Sequence, residues 1–184
     1  TCEKLNFASP LVFPKFSVLD TELPYSLPAR QVANGVVDSF IHVVEQYLTY
    51  PVNAKVQDAF SEGLMRVIHE EGLKVLDNPN DYDIRANLMW AATNALNVWI
   101  GQGVPQDWSS HRMGYALTAQ FGLDHAQTLA ILLPGVMTYM RKEKAAKLIR
   151  MGEVVFGITE GSADEKVQKS IEATEDFFHF MGLK

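Results

Sequence analysis

From residue 28 onward, apolar residues recur at the three- and four-residue spacing of an amphipathic α-helix almost without interruption. Proline, glycine and aspartate clusters, which are typical of helix ends, divide this pattern into segments. The segment 88–101 is apolar almost all round and predicts a central core helix. The predicted helices cover residues 28–48, 53–77, 82–101, 108–121, 125–140, 142–156 and 163–181. Since no repeat and no second strand pattern accompanies them, the sequence predicts an all-α, multi-helix fold.

The residues before these helices predict an extended entry. Residues 10–20 contain two prolines and then a short β-prone run, which favours extended backbone. Ser26 is placed to cap the first helix, and Pro28 suits its first turn. We therefore divide the chain into an extended lead-in, 1–24, and a helical domain, 25–184.

Charge and cysteine content limit the function classes. The chain has 16 basic and 22 acidic residues and a net charge of -6, which argues against a nucleic-acid backbone as partner. Cys2 is the only cysteine, which favours a reducing compartment, and we expect the cytoplasm. No signal-peptide pattern and no apolar run of membrane-spanning length is present, so no membrane partner is expected. Because the chain begins at Thr1, we expect it to be part of a longer protein.

Two polar residues interrupt the apolar pattern of the first predicted helix. Asp38 and His42 are four residues apart, so their side chains lie on one face of the helix, one turn from each other. A carboxylate is costly to bury without a partner. Two interpretations fit: a buried Asp–His hydrogen bond that joins two helices, or a pair of ligands for one metal ion.

The other histidines divide into two kinds. His69 is followed by two glutamates and is interpreted as part of a solvated face, and His179 as a surface or core-edge residue.

His111 and His125 lie in a mostly apolar segment. In a continuous helix they would be about 21 Å apart, too far to share an ion. However, Gly122 can end one helix in the left-handed conformation and Asp124 can cap the next, so the chain can reverse between them.

A set of one carboxylate and three imidazoles indicates the kind of metal. Such a mixed oxygen and nitrogen set suits Fe²⁺ or Zn²⁺ better than Cu⁺, Ca²⁺ or Mg²⁺. Structural zinc sites usually contain cysteine, so a catalytic site is the better interpretation.

At this point the sequence resembles the iron-containing (group III) alcohol dehydrogenases, and within them the NADPH-dependent aldehyde reductase and butanol dehydrogenase branch. The resemblance covers essentially the whole chain. Its most specific strings are FSVLDTELPYSLPARQVANGVVDSFIHVVEQYLT, DYDIRANLMWAATNALNVWIGQGVPQDWSSH and GLDHAQTLAILLP. It implies a dehydroquinate synthase-like helical domain and metal ligands at Asp38, His42, His111 and His125.

The resemblance also implies what surrounds the metal. Such enzymes have an N-terminal cofactor-binding α/β domain with a Gly-rich turn, which this sequence lacks, so residues 1–24 resemble the end of that domain. Lys4 matches a lysine near the nicotinamide end of the cofactor. Tyr115 replaces a histidine that is placed near the nicotinamide; it keeps a hydroxyl but is a poor base at neutral pH. The branch implies NADP(H) rather than NAD(H), and a homodimer.

These observations predict a metal-dependent alcohol dehydrogenase or aldehyde reductase whose substrates are a small aldehyde and its alcohol. In it, the metal polarises the carbonyl and a nicotinamide cofactor carries the hydride. Two other interpretations remain open: a helical metallohydrolase with Asp and His ligands, and a non-catalytic interaction module with Asp38 and His42 as a core pair.

Overall fold

The computed structural model describes residues 3–5 and 7–183 as seven α-helices after an irregular lead-in. Within these residues there is no strand, so the all-α prediction is confirmed. No helix among them is long and apolar enough to cross a bilayer. The helices are α1 (Ala29–Tyr47), α2 (Lys55–Val75), α3 (Tyr82–Ala95), α4 (Ser109–Phe121), α5 (His125–Tyr139), α6 (Ala145–Phe156) and α7 (Ala163–Phe180).

The lead-in contains two short 3₁₀ turns, Pro10–Val12 and Leu23–Ser26, and its β-prone run forms no strand in the described residues. The prediction that Ser26 caps α1 is wrong. Its hydroxyl donates to the Leu23 carbonyl at 3.4 Å, and Pro28 occupies the capping position instead. Proline has no side-chain acceptor to offer, so α1 begins without a side-chain cap.

Helix α3 is six residues shorter at its C-terminal end than predicted, because local hydrogen bonds compete with the helix. The Asn97 side chain accepts the Trp99 backbone N–H at 3.1 Å, and Val98 has a left-handed φ of 66°. The side chains of Leu96, Val98 and Trp99 are exposed. The prediction of one core helix over 88–101 is therefore wrong for its second half.

Helix α1 is the central helix of the domain and packs against α2, α3 and α5. Its Phe40 ring is fully buried and lies 5.3 Å from the Phe177 ring of α7. At Gly72 of α2, a Cβ atom would lie 2.8 Å from a methyl carbon of Val36, so α2 and α1 are in close contact. Side chains of α1 are thus held by packing on several sides, which fixes the polar ones among them.

Helices α4 and α5 form a close antiparallel pair. Gly122 ends α4 in the left-handed conformation, with φ 66°, and its N–H donates to the Thr118 carbonyl at 3.0 Å. This agrees with the predicted chain reversal. A Cβ atom at Gly114 would lie 2.7 Å from Thr128 Oγ1, so the helices touch there. The reversal brings the first turn of α5 beside α4.

Candidate metal centre

Three helices bring four side chains together around one carboxylate oxygen. Asp38 and His42 come from α1, His111 from the first turn of α4, and His125 from the first residue of α5. Asp38 Oδ1 lies 3.4 Å from His42 Nδ1, 3.8 Å from His111 Nε2 and 3.8 Å from His125 Nε2. The four residues selected from the sequence therefore converge in the fold.

The spacing of these atoms fits a metal ion. Asp38, His42 and His111 each offer a ligand atom, and these atoms all lie within 4.8 Å of one another. Ligands that are each about 2.0–2.2 Å from one ion lie within about 4.4 Å of one another, and the distances of 3.4–3.8 Å from Asp38 Oδ1 fall within this limit. Among the described residues, Asp38 Oδ1 and His111 Nε2 are buried atoms without a hydrogen-bond partner. Since buried polar atoms are normally bonded, two facing acceptors indicate a place for a cation.

The electrostatics favour the ligand form of the histidines. Burial lowers the pKa of His42, although the Asp38 carboxylate opposes this shift. Burial also lowers the pKa of His125, with Asp38 again opposing it and the Lys4 charge adding to it. Neutral imidazole is the form that binds metal. Burial therefore favours the neutral charge state of both rings.

Lys4, near the start of the chain, and Tyr115, in α4, join the site from positions far apart in sequence. Lys4 Nζ lies 3.1 Å from His125 Nδ1 and 5.1 Å from the centroid of the Tyr115 ring. The rings of Tyr115 and His125 are 6.3 Å apart, centroid to centroid. The structure thus brings both residues, which the family resemblance pointed out, to the His125 side of the cluster.

Glu45 is a site residue that the sequence interpretation missed. Its carboxylate is 4% exposed and contacts His111 Nδ1 through Oε2, while Oε1 accepts the Ser110 backbone N–H at 2.6 Å. The signal was present in the sequence, because Glu45 follows His42 by three residues and Asp38 by seven, which places all three on one face of α1.

Trp108 is a second missed neighbour. Its ring centroid lies 5.7 Å from that of His42 and 5.1 Å from that of His111, in edge-to-face arrangements. It also lines an apolar groove of about 910 Å³ between α4 and α5, which none of the four candidate ligands lines. A lone tryptophan at the start of a predicted helix carries no sequence signal for such a position.

Asp124 occupies the capping position of α5, as predicted, but its side chain makes no cap hydrogen bond. Its carboxylate instead accepts two hydrogen bonds from Arg30, at 2.7 and 2.6 Å, and one from Asn34 at 2.8 Å. These donors are 90 and 94 residues away in sequence, so helical spacing could not indicate them. They tie the start of α5 to α1.

The two remaining histidines lie outside the cluster. His179 is exposed, as the sequence indicated. The interpretation of His69 as part of a solvated face is wrong: its ring is half-buried between Phe156 and Phe177, at centroid distances of 5.1 and 4.9 Å. The neighbouring Glu70 and the ring project from the helix in different directions, so an acidic neighbour in sequence did not imply exposure.

Comparison with known proteins identifies relatives of the whole chain. Residues 32–184 match the model of the C-terminal part of the Fe-containing alcohol dehydrogenase family. The chain is 55% identical over 183 residues to the NADPH-dependent aldehyde reductase YqhD of Escherichia coli (strain K12), covering 100% of this chain and 47% of that protein. It is 43% identical to NADP-dependent alcohol dehydrogenase 3 of Entamoeba histolytica, covering 98% of this chain and 46% of that protein.

Solved structures agree with these relationships. The substrate- and cofactor-free form of YqhD superimposes with a TM-score of 0.94, over 96% of this chain and 47% of that one. The NADH-dependent butanol dehydrogenase A of Thermotoga maritima, 32% identical, gives a TM-score of 0.92 over 99% of this chain and 46% of that one. The chain spans about half the length of the relatives it matches.

Proposed function

Because this chain belongs to the Fe-containing alcohol dehydrogenase family, we propose that it forms the metal-binding part of an alcohol dehydrogenase or aldehyde reductase. The reaction is hydride transfer between NAD(P)H and an aldehyde–alcohol pair. The observation that supports it most directly is the convergence of three histidines on Asp38 Oδ1, at 3.4–3.8 Å, from three helices.

In this proposal, Asp38, His42, His111 and His125 hold one Fe²⁺ or Zn²⁺ ion. The oxygen and nitrogen donor set suits either metal. When bound, the metal supplies Lewis-acid polarisation of the substrate carbonyl, and the nicotinamide supplies the hydride. The half-buried Asp38 contributes a negative charge that offsets part of the charge of the cation. The neutral imidazoles of His42 and His125 contribute nitrogen lone pairs, His42 through Nε2 because its Nδ1 donates to the Asp38 carbonyl at 2.8 Å.

Lys4 is the proposed contact to the nicotinamide cofactor. An ammonium group only donates hydrogen bonds, so its contact with His125 Nδ1 needs the His125 proton on Nε2, the nitrogen that faces Asp38. Ligation through His125 Nε2 needs that proton on Nδ1 instead, so Lys4 must move away from Nδ1 when the metal binds. Lys4→Gln in the active protein should raise KM for the nucleotide with little change in metal content; an unchanged KM would remove Lys4 from the cofactor site.

The cofactor phosphates are proposed to bind outside this chain. The sequence contains no Gly-rich G-G-G-S turn, and its relatives are about twice as long. We assign residues 1–24 to the end of a cofactor-binding domain and 25–184 to the helical domain. NADP(H) is favoured because the 55% and 43% identical relatives are described as NADPH- and NADP-dependent. A cytoplasmic homodimer remains the expectation for the intact protein, meaning this chain together with its cofactor-binding part.

The test is metal content and activity measured on the same preparations of the intact protein. We expect about one Fe or Zn per chain after anaerobic purification, and butanal reduction that is faster with NADPH than with NADH. His111→Ala should lose both metal and activity, whereas the exposed His179→Ala should keep both. Stoichiometric metal without nucleotide-dependent reduction would instead favour a metallohydrolase, and protein without metal would favour an interaction module.

A further inference from the structure

Glu45 makes contacts that reach past its own helix into the start of α4. Its backbone carbonyl accepts the Asp107 N–H at 3.0 Å, its Oε1 accepts the Ser110 N–H at 2.6 Å, and its Oε2 contacts His111 Nδ1. Helix α4 begins at Ser109 with no side-chain cap from its own capping residue, Trp108. The Glu45 carboxylate therefore takes the place of a cap, where the N-terminal end of a helix favours an anion.

The same carboxylate determines which nitrogen of His111 carries a proton. Glu45 is 4% exposed, and an ionised carboxylate buried this deeply needs donors for both oxygens. A carboxylate only accepts, so His111 Nδ1 must donate, and in the neutral ring Nε2 then has a free lone pair. That Nε2 atom is buried, has no partner among the described residues, and faces Asp38 Oδ1 at 3.8 Å.

We infer that Glu45 is a positioning residue that fixes the tautomer and orientation of His111, so that its Nε2 is held ready as a metal ligand. This inference rests on the proposed metal site. In a ligating histidine, the nitrogen that does not bind the metal commonly donates to a carboxylate, and this raises the basicity of the ring. Loss of such a hydrogen bond typically costs about 10–100-fold in metal affinity.

Replacing Glu45 by glutamine tests this positioning role, because the Ser110 backbone N–H determines the orientation of the glutamine amide. The Ser110 N–H can only donate, so the amide oxygen must stay on it and the cap is preserved. The amide NH₂ group then faces His111 Nδ1, and it also only donates. His111 must therefore move its proton to Nε2, the nitrogen that would bind the metal.

The experiment compares Glu45→Gln with the parent and with Glu62→Gln, a matched carboxylate-to-amide change on α2. Among the described residues, the hydrogen bonds of the Glu62 carboxylate are with Tyr47 and Arg150. Metal affinity of the intact protein is measured by competition with a chelator. The His111 tautomer is read from ring ¹⁵N chemical shifts of metal-free protein, assigned with His111→Ala. We expect Glu45→Gln to bind metal about 10–100-fold more weakly and to shift the His111 proton from Nδ1 to Nε2, with a thermal midpoint close to that of the parent.

The two readouts separate the inference from the metal site on which it rests. Parent-like affinity and an unchanged His111 tautomer in Glu45→Gln would overturn the positioning role and leave only the helix cap. If the parent itself bound no metal, the proposed function would fail. The tautomer would then decide the inference alone: a proton that moves to Nε2 supports it, and one that stays overturns it.

Discussion

Arg30 and Asp124 form a bidentate ion pair that joins the first turn of α1 to the residue immediately before His125. Nε and Nη2 of Arg30 donate to the two carboxylate oxygens at 2.7 and 2.6 Å. These hydrogen bonds, with one from Asn34, hold the pKa of Asp124 below its usual value. Because α1 also contains Asp38 and His42, the pair connects candidate ligands that lie far apart in sequence.

Arg30→Lys should loosen the placement of His125 while leaving the fold intact. A lysine cannot make the two parallel hydrogen bonds, and Arg30 is exposed, so we expect less than about 1 kcal/mol of lost stability. Metal affinity should fall several-fold, measured by chelator competition. The control is Arg66→Lys, an exposed arginine 4.0 Å from Glu70 on α2. Equal affinities in the two variants would show that His125 does not depend on the pair.

The sequence predicted the helices, and the local placement of the four clustered residues, because these follow from short-range rules. Helical spacing placed Asp38 beside His42, and the left-handed Gly122 gave the reversal that brings His125 back towards α4. That these two pairs meet was implied only by the family resemblance. The Asp124 contacts and the shortened α3 were missed for a physical reason. The Arg30 guanidinium competes for the Asp124 carboxylate from 94 residues away, and the side chain of Asn97 competes with the helix for a backbone donor. Neither of these hydrogen bonds changes the periodicity of apolar residues from which the helices were predicted.

Gly114→Ala should destabilise the α4–α5 pair near the candidate site. The added methyl group would lie 2.7 Å from Thr128 Oγ1, and that hydroxyl donates to the His125 carbonyl at 2.7 Å. Overpacking of this kind costs about 1–3 kcal/mol, against a gain of up to about 1 kcal/mol in helix propensity. We expect a lower thermal midpoint and weaker metal binding. Gly63→Ala is the matched control, because its methyl group would meet nothing within 4 Å and should stabilise α2 slightly. A Gly114→Ala protein as stable as Gly63→Ala would refute the close contact.

Acid should destabilise the protein partly through His69. Burial between Phe156 and Phe177 lowers the pKa of His69 from 6.5, with Glu70 opposing the shift. The unfolded chain therefore takes up a proton before the folded chain does. The contribution to stability is complete above about pH 6.5 and is lost as pH falls through the lowered folded pKa. Between pH 7.5 and 5, the thermal midpoint of His69→Leu should fall less than that of the parent.

The control for this pH dependence is the exposed histidine. His179→Gln should lose stability with acid as the parent does, because the His179 ring is exposed and, unlike that of His69, is not packed between Phe156 and Phe177. If His69→Leu lost stability with acid as steeply as the parent, burial of the neutral His69 ring would not contribute to acid sensitivity. His69→Leu should also retain metal, since His69 is not in the candidate cluster.

Tyr115 stands where the family resemblance implies a histidine. The centroid of its ring lies 6.3 Å from that of His125 and 5.1 Å from Lys4 Nζ. Tyr115→Phe keeps the ring and therefore the contact with Lys4, so it isolates the hydroxyl. If the hydroxyl delivers a proton to the product, kcat of the intact protein should fall about 10–100-fold. This is below the usual general-acid effect of about 10²–10⁴-fold, because solvent can also supply the proton. Tyr115→His should remain active, with a pH profile moved toward the imidazole range.

The ring and the hydroxyl of Tyr115 can be separated by a third variant. Tyr115→Leu removes the aromatic face beside Lys4, an interaction worth about 0.5–1 kcal/mol at exposed sites, and should raise KM for the nucleotide if Lys4 contacts it. Equal kcat of Tyr115→Phe and the parent from pH 6 to 9 would leave the hydroxyl without a catalytic role. A defect in Tyr115→Phe that consisted mainly of a raised KM would make the hydroxyl a binding group, since an interaction used only in the transition state lowers kcat instead.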